Sequence, residues 1–244
     1  MLKAKKSDTV LRRAVTVGLL MILIPAVVVG GALLFQEKHY AWIALCVAVL
    51  SCLPLFVCFE RKESTAKELT TLAVLVAISA AGRFAFAWVP GFKPVTAITV
   101  IAAVYLGREA GFVVGSLSAV VSNFYFGQGP WTPFQMFAWG LLGFLAGVLA
   151  EPLKRRKVWM IVYGILAGVL FSLVMDVWTT LWADGTFNLR RYLAACVSAL
   201  PFTVAYAVSN VVFLLLLTAP IGEKLERIKR KYGLFQPVLS QESG

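Results

Sequence analysis

Long apolar runs alternate with short polar or charged stretches along most of this chain. Most runs are long enough for a helix to cross a hydrocarbon core of about 30 Å. They are continuous rather than alternating, which disfavours a membrane β-barrel. Because a backbone in lipid must satisfy its own hydrogen bonds, we predict helices. The predicted spans are 14–35, 40–59, 69–88, 94–106, 110–126, 132–150, 158–182 and 192–219.

The predicted fold class is an all-α, polytopic membrane protein with about eight transmembrane helices. The fourth span, 94–106, is short for a full crossing, so we expect it to be tilted, broken or partly re-entrant. The charged stretch ERKESTAKE, residues 60–68, separates two helices from a larger unit. The predicted organisation is two N-terminal transmembrane helices in 1–60, a six-helix substrate-binding core in 61–222 and a basic cytoplasmic tail in 223–244.

Composition supports a membrane protein, with 60% hydrophobic residues, 14% charged residues and a mean hydropathy of +0.83. The net charge of +11 is a topology signal, because most basic residues fall on one side of an eight-helix arrangement. By the positive-inside rule, both termini are cytoplasmic. Arg190 and Arg191 are exceptions on the outer side. We therefore expect a lipid bilayer as the surroundings and no nucleic acid as a partner.

Two ionisable residues fall near the predicted outer ends of apolar spans. Arg83 lies near the end of the third span, and Asp176 lies in the outer half of the seventh. Charged side chains at membrane depth are costly and often functional. The two residues either pair with each other as a structural ion pair or line a wet cavity.

The stretch SNFYFGQGPWTPFQ, residues 122–135, places amides, glycines, prolines and aromatic rings at the same depth. Gly and Pro shape a turn there, and Thr132 is positioned to cap the next helix. An interfacial aromatic belt would explain about half of the rings, but not the charges and the amides. We therefore predict a solute pocket open to the outside. The candidate binding residues are Arg83, Lys93, Asn123, Gln128, Trp131, Gln135, Trp139 and Asp176.

Other functional classes find less support in the sequence. His39 is the only histidine, the four cysteines show no CxxC spacing, and no paired carboxylates, HExxH motif or nucleophile elbow occur. We therefore expect no metal site and no enzyme activity. An independent secondary transporter would need several buried acidic groups. A scaffold protein would leave the outer polar residues unexplained.

Small residues recur every four positions on the third span, at Ala73, Ala77 and Ala81. This spacing places them on one helix face and permits close approach of another helix in lipid. The pattern fits internal packing within the bundle or docking of a separate membrane protein. Glycines at similar spacing, such as Gly111 and Gly115, are predicted to serve packing.

Taken in order, the alanine stripe, Gly82-Arg83, KPVTAI and SNFYFGQGPWTPFQMFAWGLLG resemble the substrate-binding S components of energy-coupling factor (ECF) vitamin transporters. The resemblance covers roughly residues 66 to 220, and the two preceding helices depart from the usual six-helix unit. It implies high-affinity capture of a vitamin-like solute near the extracellular side of a prokaryotic cell membrane. It also implies that Ala73, Ala77 and Ala81 dock onto a transmembrane coupling subunit, which holds two cytoplasmic ATPases.

The resemblance further implies that the loaded subunit topples in the membrane to release its solute inside. ATP is then hydrolysed by the partner subunits, and we expect no cofactor on this chain, which has no GxxxxGK[ST] loop. The GQGPWTPFQ loop looks most like S components for cobalamin. The amide-rich site would also suit pantothenate, riboflavin or a queuosine precursor.

Overall fold

The computed structural model describes residues 66–185 and 187–235, together with four isolated positions, Gly18, Ile22, Leu23 and Ala26. The predicted spans 14–35 and 40–59 lie outside the two continuous stretches and stay predictions. Eight α-helices and no strand occur in the continuous stretches. In chain order they are α1 (Ala66–Ala85), α2 (Val95–Leu106), α3 (Arg108–Phe126), α4 (Thr132–Val148), α5 (Ala150–Arg155), α6 (Lys157–Asp184), α7 (Leu189–Ser198) and α8 (Leu200–Tyr232).

These helices confirm an all-helical, polytopic membrane architecture. Within the described stretches, α1, α6 and α8 are long and apolar enough to cross a membrane, and α2 and α4 are shorter apolar helices. The orientation of the chain in the membrane stays a prediction from its charges. The terms outer and cytoplasmic below follow that orientation.

One predicted span differs clearly from the structure. The span predicted at 192–219 is two helices, α7 and α8, with Pro201 in the first turn of α8. Proline fits that first turn because its missing N–H would have no partner there. α7 has no buried residue and a strongly one-sided distribution of apolar side chains. The hydropathy pattern merged this surface helix with the true span that follows it.

The short helix α2 lies at the centre of the bundle. It has 12 residues, and all of them except Tyr105 are buried. It packs against α1, α3, α4 and α8. Because its neighbours shield it from lipid on every side, it needs no polar face and no full membrane length. Its predicted shortness is therefore confirmed.

Glycines allow the closest helix contacts of the core, as the sequence predicts. A Cβ added to Gly143 would lie 2.3 Å from the carbonyl oxygen of Gly111, so α3 and α4 touch backbone to backbone. Gly168 on α6 meets the backbone of Ala207 on α8 in the same way. Close approach through small residues is the usual means of helix association in lipid. These contacts fix the two helix pairs that frame the polar residues below.

The cytoplasmic end of α8 returns to the start of α1. Gly233 adopts a left-handed conformation (φ 62°) after α8, and Leu234 is then 2% exposed. The backbone N–H of Phe235 donates to Oε1 of Glu68 at 2.6 Å. α8 itself runs without a break past residue 222, the predicted end of the core. The basic residues up to Tyr232 are therefore helical.

Candidate functional site

A hydrogen-bonded network joins the outer ends of α1, α3 and α4. Nη1 of Arg83 donates to Oγ of Ser122 at 2.5 Å and to Oδ1 of Asn123 at 2.7 Å. Nδ2 of Asn123 donates to Oγ1 of Thr132 at 2.9 Å and to Oε1 of Gln135 at 2.8 Å. We call these five residues, Arg83, Ser122, Asn123, Thr132 and Gln135, the outer cluster.

The arginine of the outer cluster is buried but incompletely satisfied. Arg83 is 7% exposed, and its Nε has no hydrogen-bond partner among the described residues. Asn123 is 1% exposed. Burying a polar group without a partner costs about 1 to 3 kcal/mol, so an unpaired guanidinium nitrogen is an expensive feature. Because buried polar groups are nearly always hydrogen-bonded, this nitrogen marks Arg83 as a candidate for a functional contact.

The predicted turn between α3 and α4 holds the amides in place. Nε2 of Gln128 donates to the carbonyl oxygen of Val120 at 2.8 Å, and its Oε1 accepts from Oγ1 of Thr132 at 3.1 Å. The prediction that Thr132 caps α4 is wrong, since the cap position is Trp131 and no side chain caps it. The hydroxyl of Thr132 instead accepts a hydrogen bond from Nδ2 of Asn123 and so belongs to the outer cluster.

Aromatic rings surround the arginine. The guanidinium carbon of Arg83 lies 4.4 Å from the ring centroid of Phe126 and 5.1 Å from that of Trp139. Trp139 also stacks on Phe171 with centroids 4.9 Å apart. Cations favour aromatic faces electrostatically, and more so away from water. These rings offer flat apolar surfaces beside polar donors and acceptors.

The loop between α1 and α2 brings in a second cation. Nζ of Lys93 lies 4.9 Å from the centroid of Phe126, the ring that Arg83 also contacts. The backbone of Lys93 is fixed to α8, with its N–H donating to Oγ of Ser209 at 2.8 Å and its carbonyl accepting from that hydroxyl at 3.0 Å. Burial, and then the charge of Arg83, lower the pKa of Lys93. Neither cation forms an ion pair within residues 66–185 and 187–235.

Asp176 lies in a second polar group, which includes residues of α7 and α8. It is 7% exposed and within hydrogen-bonding range of the thiol of Cys196 on α7, which also interacts with Tyr192. Tyr206 on α8 is within electrostatic range of both Asp176 and Arg83. Asp176 and Arg83, for which a structural ion pair is one of the two expectations, form no direct ion pair within the described stretches.

The structure brings five of the predicted binding residues together around Arg83 and the ring of Phe126, namely Arg83, Lys93, Asn123, Gln135 and Trp139. Gln128 and Trp131 support the turn, and Trp131 packs on a neighbouring apolar cluster with Phe134 and Trp178. Asp176 lies apart from the outer cluster, within hydrogen-bonding range of Cys196. The outer cluster is filled by its own side chains. Two clefts lie at the cytoplasmic end of the bundle.

Several residues of this region were not predicted from the sequence. Ser122, Phe171 and Tyr206 occupy ordinary helical positions, and only the rotation of each helix about its axis places them beside Arg83. Cys196 on α7 is a further such residue, since it contacts Asp176. A weak signal was available for Tyr192 and Cys196, which share one face of α7 at a spacing of four.

The predicted docking stripe lies on the surface of the bundle. Ala73, Ala77 and Ala81 are all exposed, whereas the buried face of α1 holds Leu72, Leu75, Val76 and Ser79. The alanines therefore do not pack inside the described bundle. Their role in docking stays a prediction.

Comparison with known proteins identifies the family. The family model described as "ECF-type riboflavin transporter, S component" matches residues 63–227, which is more than half of the 244-residue chain. No match was found among curated proteins or among solved structures. The matched region contains all of α1 to α7 and most of α8, and with them the outer cluster and Asp176.

The family is a transporter component rather than a class of enzyme. Its members are embedded in prokaryotic membranes and work with a small-molecule vitamin, a coupling subunit and ATPase subunits. The multi-pass architecture and the resemblance seen in the sequence agree with this assignment. This chain therefore belongs to the S components of ECF-type transporters, the vitamin-binding membrane subunits of these importers.

Proposed function

We propose that this S component captures riboflavin, or a closely related flavin, at its outer end. The observation that supports this most is the buried Arg83, which contacts two aromatic rings and keeps an unpaired Nε beside a chain of amides. The solute then passes to a coupling subunit with two cytoplasmic ATPases. In this proposal ATP is hydrolysed by those partners, and this chain holds no cofactor.

The chemistry of a flavin suits these residues. Its ring system is flat and aromatic, so it can stack on rings such as Trp139 and Phe171. The pyrimidine end of the ring presents carbonyl oxygens and an imide N–H, which complement a guanidinium and side-chain amides such as Asn123. The ribityl hydroxyls can donate to a carboxylate, and Asp176 is the buried carboxylate nearest this region.

Cobalamin, the vitamin favoured by the sequence of the turn, is less well supported. The family model that matches is described for riboflavin, and the outer cluster is closed by its own buried side chains. A flat solute inserted between existing rings displaces fewer side chains than cobalamin, which has several times its mass. Cobalamin, pantothenate and a queuosine precursor remain the competitors in the binding test.

Purified protein is expected to bind riboflavin with submicromolar affinity in the absence of ATP and of partner subunits. The measurement is isothermal titration calorimetry, with quenching of flavin fluorescence as a second readout. Cobalamin, pantothenate and a queuosine precursor are titrated in parallel. Tight binding of one of these and not of riboflavin would refute the flavin assignment, and binding of none would remove the support for capture by this chain alone.

Replacing Asp176 with Asn is expected to weaken riboflavin binding about tenfold. A carboxylate accepts hydrogen bonds from hydroxyls more strongly than an amide oxygen does, by about 1.4 kcal/mol for one contact. Asp184→Asn is the matched control, because Asp184 lies on the same helix but pairs with Arg191 at 2.8 Å. Equal losses in the two variants would show that Asp176 does not contact the solute.

A further inference from the structure

The cytoplasmic end of the bundle contains a basic cleft that the vitamin site does not explain. This cleft, of about 540 Å³, lies where α5 ends and α6 begins. The cleft is lined by three cations, one carboxylate, a proline and an exposed tryptophan. These residues are Lys154, Arg155, Arg156, Glu151, Pro152 and Trp159.

Two of the cations are free to bind a ligand. Lys154 is partly engaged, since its Nζ lies 3.9 Å from Oε1 of Glu226 and 4.8 Å from the ring centroid of Tyr105. Arg155 and Arg156 are exposed, and neither forms an ion pair within the described stretches of the chain. Arginine is the side chain best suited to phosphate, because its planar donors can bind two oxygens at once.

An apolar strip extends from this cleft along α6 into the membrane. Trp159 is 53% exposed at its start, at the depth where tryptophan usually marks the membrane interface. Exposed apolar side chains then follow at helical spacing on one face. They are Val158, Val162, Ile165, Leu166, Val169 and Leu173.

The cleft and the predicted docking stripe lie on different helices. α6 has its main contacts with α8, α4 and α7, whereas α1, the helix with the alanine stripe, packs against α3 and α2. The strip and the predicted docking face therefore belong to different parts of the bundle. A surface with phosphate-binding cations above a continuous apolar strip matches one molecule of a phospholipid, headgroup and acyl chains together.

We propose that this cleft binds the headgroup of an anionic phospholipid in the cytoplasmic leaflet, with the acyl chains along α6. That leaflet is the one in which anionic lipids attract clustered basic residues. The bound lipid would hold this end of the subunit at a fixed depth while α1 engages the coupling subunit. The inference does not depend on which vitamin the protein binds.

Native mass spectrometry of the purified full-length protein tests the proposal, with dioctanoyl phosphatidylglycerol as the probe and dioctanoyl phosphatidylcholine as the neutral comparison. The wild type is expected to retain the anionic lipid preferentially. The double variant Arg155→Gln/Arg156→Gln is expected to lose about 25-fold in affinity for it, at about fivefold for each cation near the headgroup. Both side chains are exposed, so thermal unfolding should be unchanged.

The matched control is Arg227→Gln/Arg230→Gln. It removes two exposed cations at the same end of the molecule, from a second cleft that has two carboxylates, Glu223 and Glu226. Phosphatidylglycerol binding should change less than twofold. Equal losses in both double variants would overturn the site in favour of diffuse attraction. Displacement of the lipid by inorganic phosphate at equal concentration would overturn it in favour of a simple anion site.

Discussion

Replacing Arg83 with Met is expected to reduce riboflavin affinity by at least about 100-fold, and to cost the ligand-free protein about 1 to 3 kcal/mol because Oδ1 of Asn123 loses its donor. The guanidinium would lose two charge-assisted contacts to the solute, each contributing about 1.5 to 3 kcal/mol. Met retains much of the length of the side chain and packs against rings such as Phe126 and Trp139. The substitution also removes a buried cation whose Nε has no hydrogen-bond partner among the described residues, which offsets part of the cost.

This combination separates a binding role from a structural one. If Arg83 served only to tie α1 to α3 through Ser122 and Asn123, the variant would unfold at a lower temperature but would still be stabilised by added riboflavin. If it also serves the solute, the stabilisation that added riboflavin gives to the wild type disappears. The measurements are calorimetric affinity and thermal unfolding, each with and without riboflavin.

Arg83→Lys is the informative companion variant. Lysine keeps the positive charge, but it offers one donor group instead of a planar set and cannot stack in the same way. We expect an intermediate loss of affinity, closer to the Met variant than to the wild type. Full retention of binding by the Lys variant would mean that charge alone is recognised, and retention by the Met variant would exclude Arg83 from the site.

The sequence predicted the bounds of several helices closely. Hydropathy reports where a chain enters and leaves an apolar layer, and so it located α2, α3 and α4 to within about two residues. The same information placed Arg83 and Asn123 at one end of the bundle, where they form a hydrogen bond. The bounds of an apolar helix depend on local composition, which can be read directly from a single sequence.

The arrangement around the bundle axis could not be predicted in the same way. Whether Arg83 faces Asn123 or Asp176 depends on how α1 rotates and which helices it contacts, and those are set by distant packing such as the backbone contact between Gly111 and Gly143. The error at the last span has a related cause. A surface helix such as α7 and a membrane helix can have similar local hydropathy when one face is apolar.

Introducing a leucine at Ala77 is expected to abolish vitamin uptake while leaving solute binding within about twofold of the wild type. Ala77 is exposed near the middle of α1, with Ala73 and Ala81 one turn on either side. Surfaces of small residues let two helices approach closely in lipid, and a leucine there holds the backbones apart. The outer cluster is buried on the opposite side of α1, so the substitution should not reach it.

The control for this substitution is Ala219→Leu, which makes the same change at an exposed alanine on α8. α8 has its main contacts with α6 and α2 rather than with α1. Uptake of labelled riboflavin is measured in cells that co-express the coupling and ATPase subunits, and co-purification of the coupling subunit reports docking. The Ala77 variant should lose both signals and the Ala219 variant neither. Uptake retained by the Ala77 variant would exclude this face of α1 as the docking surface, whereas loss in both variants would mean that any added bulk on the lipid-facing exterior impedes transport.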